Sequence, residues 1–207
     1  MKKSKKATSI VEAIVVILIV VTWVTWMYSI YSESIKLSNS TTNKIQAIQI
    51  ARQGIEAFTN IRDTNWQIFS WDYTNCWNVL NYDSACIWDM TTNYDIWSWS
   101  YIIYVDSENK WLLESNTTDN FWSWTYIDDF KVQKDSLWIY TQSWLVDFNP
   151  IFTREIKVDY IEDTNLDLDT NSNDEKMKIT SLVQWVDSSS SNVHKVELGQ
   201  ILSNWKK

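Results

Sequence analysis

A single acid lies near the start of a long apolar run at the N-terminus. The run begins within KKATSIVEAIVVILIV, residues 5–20, and Glu12 is the only carboxylate in that stretch. An ionised group in lipid costs about 2.5–3.5 kcal/mol at a helix centre and less near an end, so it is expected to find a cationic partner. Glu12 is therefore a candidate for ion pairing between apolar helices. The alternative is a carboxylate at the membrane interface that interacts favourably with the N-terminal helix dipole.

Two further sets of residues could form a cross-link or a metal site. Cys76 and Cys86 are separated by nine residues, and a disulfide between them would contribute about 2–3 kcal/mol in an exported segment; two free thiols are the alternative. Oxygen side chains at alternate positions, which suit Ca²⁺, occur in an acidic loop at Asp163, Asn165, Asp167 and Asp169. The loop lacks the Gly and Glu of an EF-hand, so a solvated hairpin is favoured over a weak calcium site, and no other cofactor is expected.

Catalytic and nucleic-acid-binding patterns are missing from the sequence. The only histidine, His194, falls within a predicted strand beside charged residues, which does not suit a Ser-His-Asp or Cys-His set. A phosphate-binding glycine loop is also missing. The net charge of −8 argues against a broad phosphate-binding surface. We therefore predict that the protein is not an enzyme and has no specific nucleic-acid site.

The element that holds Glu12 is predicted to be a membrane-spanning helix. Residues 13–31 are nineteen positions without a charge, and at 1.5 Å per residue they extend roughly 28 Å, close to the roughly 30 Å thickness of bilayer hydrocarbon. Four lysines in the first six residues favour a cytoplasmic N-terminus. We expect a single-pass protein of the cytoplasmic membrane with an exported C-terminal domain. A buried core helix is the alternative.

The helical pattern continues beyond the span, and strand patterns follow it. Apolar residues three and four apart form one stripe of an amphipathic helix that ends near residue 62: Ile45, Ile48, Ala51, Ile55, Phe58 and Ile61. Residues 66–150 are predicted to be a variable, loop-rich region with a few strands. After Pro150, three alternating segments predict an antiparallel meander laid on the helix. The fold class is therefore predicted to be α+β.

The N-terminus resembles the signal of type IV pilins and pseudopilins. In that family a short basic leader ends in Gly or Ala, a prepilin peptidase cuts before the apolar segment, and a Glu follows at the fifth mature position. Here Ala7 would end the leader, Thr8 would begin the mature chain and Glu12 would be fifth. Ala7 stands where Gly is commoner, and Thr8 where Phe is usual. The segments ARQGIEAFTNIRDTNW and ITSLVQWVDSSSSNVHKVELGQILSNWKK also resemble the distal helix and closing strands of a minor-pilin-like group.

The resemblance implies a domain order and a function. The order is a leader (1–7), a transmembrane half-helix (8–31), an amphipathic half-helix (32–65), a variable head region (66–150) and an antiparallel sheet (151–207). The function would be that of a filament subunit, a minor pilin or pseudopilin, in which Glu12 pairs with the free N-terminal amine of a neighbouring subunit. The assembled filament would lie at the cell surface. Partners would be other pilin subunits, a prepilin peptidase, the assembly machinery and, before assembly, membrane lipid. The alternative is a single-pass surface protein with a ligand- or glycan-binding head.

The tryptophan content is unusual. The chain has 15 Trp and 2 Gly, whereas ordinary proteins contain about 7% Gly. Many tryptophans lie beside Asn, Asp, Ser or Lys, in settings where turns favour a residue with φ > 0. Only Trp66, Trp185 and Trp205 have sequence contexts that suit a bulky aromatic side chain. We hypothesise that UGA encodes glycine in the native gene at the other twelve positions. The alternative is a carbohydrate-binding surface with exposed aromatic side chains.

Overall fold

The computed structural model describes most of the chain and divides it into two compact units. Its described residues are 10–71, 76–87, 95–115, 130–134, 139–142, 151–161, 176–186 and 193–203. The first unit is Met1–Asn43 and the second is Lys44–Lys207, which we call the head. This division falls inside the predicted amphipathic half-helix rather than at the predicted end of the span.

One helix and seven strands account for most of the described structure. The helix α1 is Ile10–Ile68, and two short 3₁₀ helices are Leu80–Tyr82 and Ser84–Ile87. The strands are β1 Ser100–Val105, β2 Trp111–Ser115, β3 Gln133–Lys134, β4 Tyr140–Thr141, β5 Phe152–Ile161, β6 Lys176–Val186 and β7 Val193–Ser203. The predicted α+β class, a long N-terminal helix on an antiparallel sheet, is confirmed.

The main sheet is wider than the predicted three-strand meander. Strands β5, β6 and β7 form the meander, but β1 and β2 extend the same antiparallel sheet, giving the order β2-β1-β5-β6-β7. Strands β3 and β4 form a separate pair. The sequence analysis expected a few strands within residues 66–150 but did not place β1 and β2 in the main sheet. The pairing of β1 with β5 joins residues more than fifty positions apart, which local patterns do not encode.

The helix covers one face of the sheet with a buried stripe. Ala51, Ile55, Phe58 and Ile61 of the predicted stripe are buried. The start of the stripe differs from the prediction: Ile45 and Ile48 are exposed, and Ala47 and Ile50 are buried instead. Ala47 and Ile50 pack against Phe152 of β5 and against Val183 and Trp185 of β6. Farther along, Ala57, Phe58 and Ile61 join the largest core cluster with Ile156, Val158, Met177 and Ile179. The helix also continues past residue 62, to Ile68.

Candidate functional site: the apolar segment and the head surface

The apolar segment, residues 13–31, lies within α1 and is exposed along its whole length. Its two threonine hydroxyls are satisfied within the helix: the Thr22 hydroxyl donates to the Ile19 carbonyl oxygen at 2.7 Å, and the Thr25 hydroxyl donates to the Thr22 carbonyl oxygen at 2.8 Å. In hydrocarbon an unsatisfied polar group costs several kcal/mol. The segment is long and apolar enough to cross a membrane.

Large aromatic side chains follow the apolar core of this segment. Trp23, Trp26, Tyr28 and Tyr31 are all exposed on the helix. Trp and Tyr favour the membrane–water interface, where the ring is partly buried and its polar atom is solvated. Their concentration near residue 31 is typical of the end of a membrane span.

Glu12 is exposed on the first described turns of α1. No ion pair joins it to another residue in the described ranges. Its side chain is therefore available on the surface of the apolar helix. The predicted processing residues, Ala7 and Thr8, lie outside the described residues.

Cys76 and Cys86 form a disulfide, as predicted. Both are buried beside Phe69 and Val79. The adjoining chain is held to the end of α1 by buried Asn65, whose amide donates to the Val79 carbonyl oxygen at 2.8 Å. The disulfide thus closes a loop in the segment that leaves the helix.

The predicted calcium residues, Asp163, Asn165, Asp167 and Asp169, lie outside the described residues. Across the ranges that are described, no three His, Cys, Asp or Glu side chains are grouped so as to hold a metal ion. His194 lies on β7, where its ring stacks on Trp185 with centroids 5.4 Å apart. This contact positions the imidazole against the aromatic edge of the core.

A buried guanidinium in the head was missed by the sequence analysis. Arg154 is fully buried on β5, and burial lowers its pKa to about 9. It donates to the side-chain oxygen of Gln142 at 3.3 Å and to the carbonyl oxygens of Ile50 (3.4 Å), Ile103 (3.2 Å) and Tyr140 (3.4 Å). Arg154 thus joins the helix to β1 and β4 through main-chain oxygens. The only sequence signal for its burial was its position in β5, where Arg154 falls at the same alternate positions as the inward-facing Phe152 and Ile156.

A buried carboxyl group lies on the opposite face of the sheet. Glu155 Oε1 accepts a hydrogen bond from the Ser100 hydroxyl at 2.7 Å and lies 3.9 Å from Lys157 Nζ. Glu155 Oε2 is buried and has no hydrogen-bond partner among the described residues. Burial raises the pKa of Glu155, and the Ser100 hydrogen bond and the Lys157 charge reduce that rise.

Comparison of the chain with known proteins does not identify a family. No protein-family model, curated protein or solved structure matches it.

The tryptophans of the head occupy two kinds of site. Trp71, Trp97 and Trp99 are exposed, by 95%, 56% and 41%, whereas Trp77 is buried in the main core cluster and Trp111 packs against it. Within the described part of the chain, positive φ among non-glycine residues occurs only at Asn81, Tyr82 and Asn109. None of the described tryptophans therefore has the positive φ that would favour glycine at its position. The composition argument stays a prediction that the codons would test.

Proposed function

We propose that this protein is a membrane-held subunit of a type IV pilus or related filament, a minor pilin or pseudopilin. The observation that supports the proposal is the single helix, Ile10–Ile68, which has an exposed apolar segment with one acid at its start and ends packed on the head sheet. Exposed apolar area is unfavourable in water by about 25 cal/mol per Å². The segment therefore needs lipid before assembly and neighbouring helices afterwards.

The proposed assembly step is an exchange of environment for the apolar segment. A prepilin peptidase would cut after Ala7 and free an amine at Thr8. In the filament that ammonium would lie against Glu12 of the next subunit, where low dielectric strengthens the attraction between opposite charges. A separate ATPase machine would extract the subunit from the cytoplasmic membrane, and the head would face outward at the cell surface.

The first test replaces Glu12 by Gln in the full chain expressed in its native host. We expect membrane insertion to be unchanged, because removing a charge favours lipid. We expect at least a severalfold loss of subunit from sheared filaments, measured by immunoblot, because the cationic partner is left unpaired. The matched control is Glu33→Gln, at an exposed position of the same helix beyond the apolar segment.

Two outcomes would contradict this proposal. One is wild-type incorporation of the Glu12→Gln subunit into filaments. The other is a purified native protein whose N-terminal sequence begins at Met1 rather than at Thr8, since the amine needed for pairing would then be absent.

A second candidate function is favoured by the exposed tryptophans of the head. Trp71, Trp97 and Trp99 present aromatic faces to solvent, and such faces are suited to stacking on sugar rings. The protein would then be a single-pass surface protein whose head binds a glycan. Two observations together would support this candidate over the first. Wild-type protein would bind glycans on an array and the Trp97→Ala and Trp99→Ala variants would not, and wild-type protein would not be found in filaments.

A further inference from the structure

The two edges of the main sheet differ in how their main chain is covered. At the β2 edge, the Asn81 side chain makes the hydrogen bonds that a neighbouring strand would make. Its side-chain oxygen accepts from the Leu113 amide and its side-chain nitrogen donates to the Leu113 carbonyl oxygen, both at 2.8 Å. The Tyr82 hydroxyl donates to the Trp111 carbonyl oxygen at 2.9 Å. Side chains therefore occupy the Leu113 amide and carbonyl groups and the Trp111 carbonyl group at this edge.

The opposite edge is formed by β7, which is longer than β2 and has no second pairing strand among the described residues. In the described sheet β7 pairs only with β6, along its whole length from Val193 to Ser203. Val193, Lys195 and Glu197 are exposed on one face. On the helix side, Val196 and Leu198 are partly buried against the core cluster of the helix. An edge strand of this kind can pair with another strand.

The charges of β7 are self-complementary in one antiparallel register. Residues directly opposite in an antiparallel pair share a face, and like charges there are destabilising whereas opposite charges attract. If Val196 lies opposite Val196 of a second copy, Lys195 of each copy lies opposite Glu197 of the other. A pairing centred on Lys195 or on Glu197 would instead oppose like charges, and one centred on Leu198 would pair neither charge.

The same register also joins the apolar side chains. On the helix side it places Val196 opposite Val196 and His194 opposite Leu198. The second strand would thus cover the partly exposed edge of the cluster to which Val196 and Leu198 belong. We propose that the β7 edge is a docking site for a second copy of this chain, paired antiparallel about Val196.

The direction of the helix indicates how two such copies meet. Along the head helix, Ala47 and Ile50 cluster with Phe152 at the start of β5, and Phe58 and Ile61 cluster with Val158 farther along it. The helix therefore runs in the direction of β5, and β7 has the same direction because both strands are antiparallel to β6. Antiparallel β7 strands would set the two head helices in opposite directions.

The first experiment tests the register by cysteine cross-linking of the full chain in detergent micelles. We expect Val196→Cys to give a disulfide-linked dimer on mild oxidation, because directly opposite Cα atoms lie about 4.5–5.5 Å apart. The control is Val193→Cys, which is more exposed but would lie roughly 20 Å from its counterpart in this register, given about 3.4 Å per residue. No cross-link at Val196, or equal cross-linking at both positions, would overturn the proposal.

The second experiment reverses one charge at a time on the exposed face, where folding is not at risk. Lys195→Glu and Glu197→Lys each replace two attractive pairs by two repulsive ones, so we expect the dissociation constant of the dimer to rise about tenfold or more in sedimentation experiments. A mixture of the two variants should dimerise again, because each Glu then faces a Lys of the other chain.

The mixing result separates this site from other forms of association. Dimers that persist in both single variants would show that the copies associate elsewhere, for instance through their apolar helices, and would overturn the proposal. Failure of the mixture to dimerise would overturn it as well, and would favour a strand from another protein as the occupant. Neither failure affects the filament proposal, which depends on the apolar segment and Glu12.

Discussion

Gly54 lies where the helix packs tightly against the sheet. A Cβ atom at this position would lie 2.8 Å from Ile156 Cδ1, 3.0 Å from the Ser181 hydroxyl oxygen and 3.1 Å from Arg154 Cδ. Beside it, Arg154 reaches the Ile50 carbonyl oxygen of the helix. At the scale of single residues, the absence of a side chain here lets a buried cation hydrogen-bond to the main chain of α1.

Replacing Gly54 by Ala should therefore destabilise the head. Ala favours a helix by about 1 kcal/mol over Gly, but overpacking costs about 1–3 kcal/mol, and three contacts are too short. We expect a net loss of unfolding free energy, measured by urea denaturation followed by fluorescence.

The chain contains a matched control for this change. At Gly199 an added Cβ would meet its nearest atoms at 3.8 and 4.0 Å, so Gly199→Ala should be neutral or slightly stabilising. Equal stability of the two variants would contradict the close-packing account of Gly54.

Glu155 should make the stability of the head depend on pH. Burial raises the pKa of this carboxyl group from its model-peptide range, because desolvation disfavours the charged form. The folded state then holds the proton more tightly than the unfolded chain. The stabilising contribution is fully present below the unfolded pKa and is lost as pH rises through the folded pKa.

Glu155→Gln removes this dependence. We expect the variant to gain stability relative to wild type as the pH rises from about 4 to about 8, since only the wild type must ionise a buried group. Urea denaturation at several pH values would measure the difference. Parallel pH profiles for the two proteins would contradict the assignment.

At the scale of elements, two devices connect the end of the helix to the sheet edge. Asn65 on α1 holds the chain near Val79, and the Cys76–Cys86 disulfide closes the segment that follows. That segment then supplies Asn81, which covers the edge of β2. A local cross-link thus helps to position the residue that distinguishes the closed edge from the open β7 edge.

Removing the disulfide should weaken the head. Its closed loop has a sequence separation of 10, for which loop-closure entropy gives about 2–3 kcal/mol. We expect the free energy of unfolding to fall by this amount in the Cys76→Ala/Cys86→Ala double variant. The same fall is expected for wild-type protein in the presence of a reductant, and chemical denaturation would measure both. Unchanged stability in both samples would show that the loop is equally ordered without its cross-link.

At the scale of the whole molecule, the two compact units differ in the environment that their side chains require. The head buries its apolar residues in its own core. Throughout the described residues of the first unit, 10–43, no side chain is buried. Hydrophobic stabilisation of that unit must therefore come from lipid or from other chains.

A charge in the middle of the apolar segment should prevent insertion without unfolding the head. Val21→Arg adds about 2.5–3.5 kcal/mol to the insertion free energy at a helix centre, so we expect a large loss of protein from the carbonate-resistant membrane fraction. Thr41→Arg, at an exposed position of the same helix beyond the span, is the control. Equal membrane retention of the two variants would contradict the assignment of residues 13–31 as the span.

Local patterns were sufficient for the helix, the three-strand meander and the disulfide. Charge-free length indicated the span, steps of three and four residues indicated the buried stripe from Ala51 to Ile61, and alternation indicated β5 to β7. Each of these signals lies within one element or between chain neighbours. The nine-residue spacing of the cysteines likewise limited their pairing to a short loop.

Only the tertiary structure decided which elements meet and which residues are enclosed by them. Strand β1 joined the sheet by pairing with β5, and β2 joined it by pairing with β1. Arg154 became buried where four elements converge, and among the described residues Asn81 covers one sheet edge while β7 pairs only with β6. These contacts connect residues distant along the chain. Their free energy depends on packing and hydrogen bonding between elements, which the periodicity of any single segment does not contain.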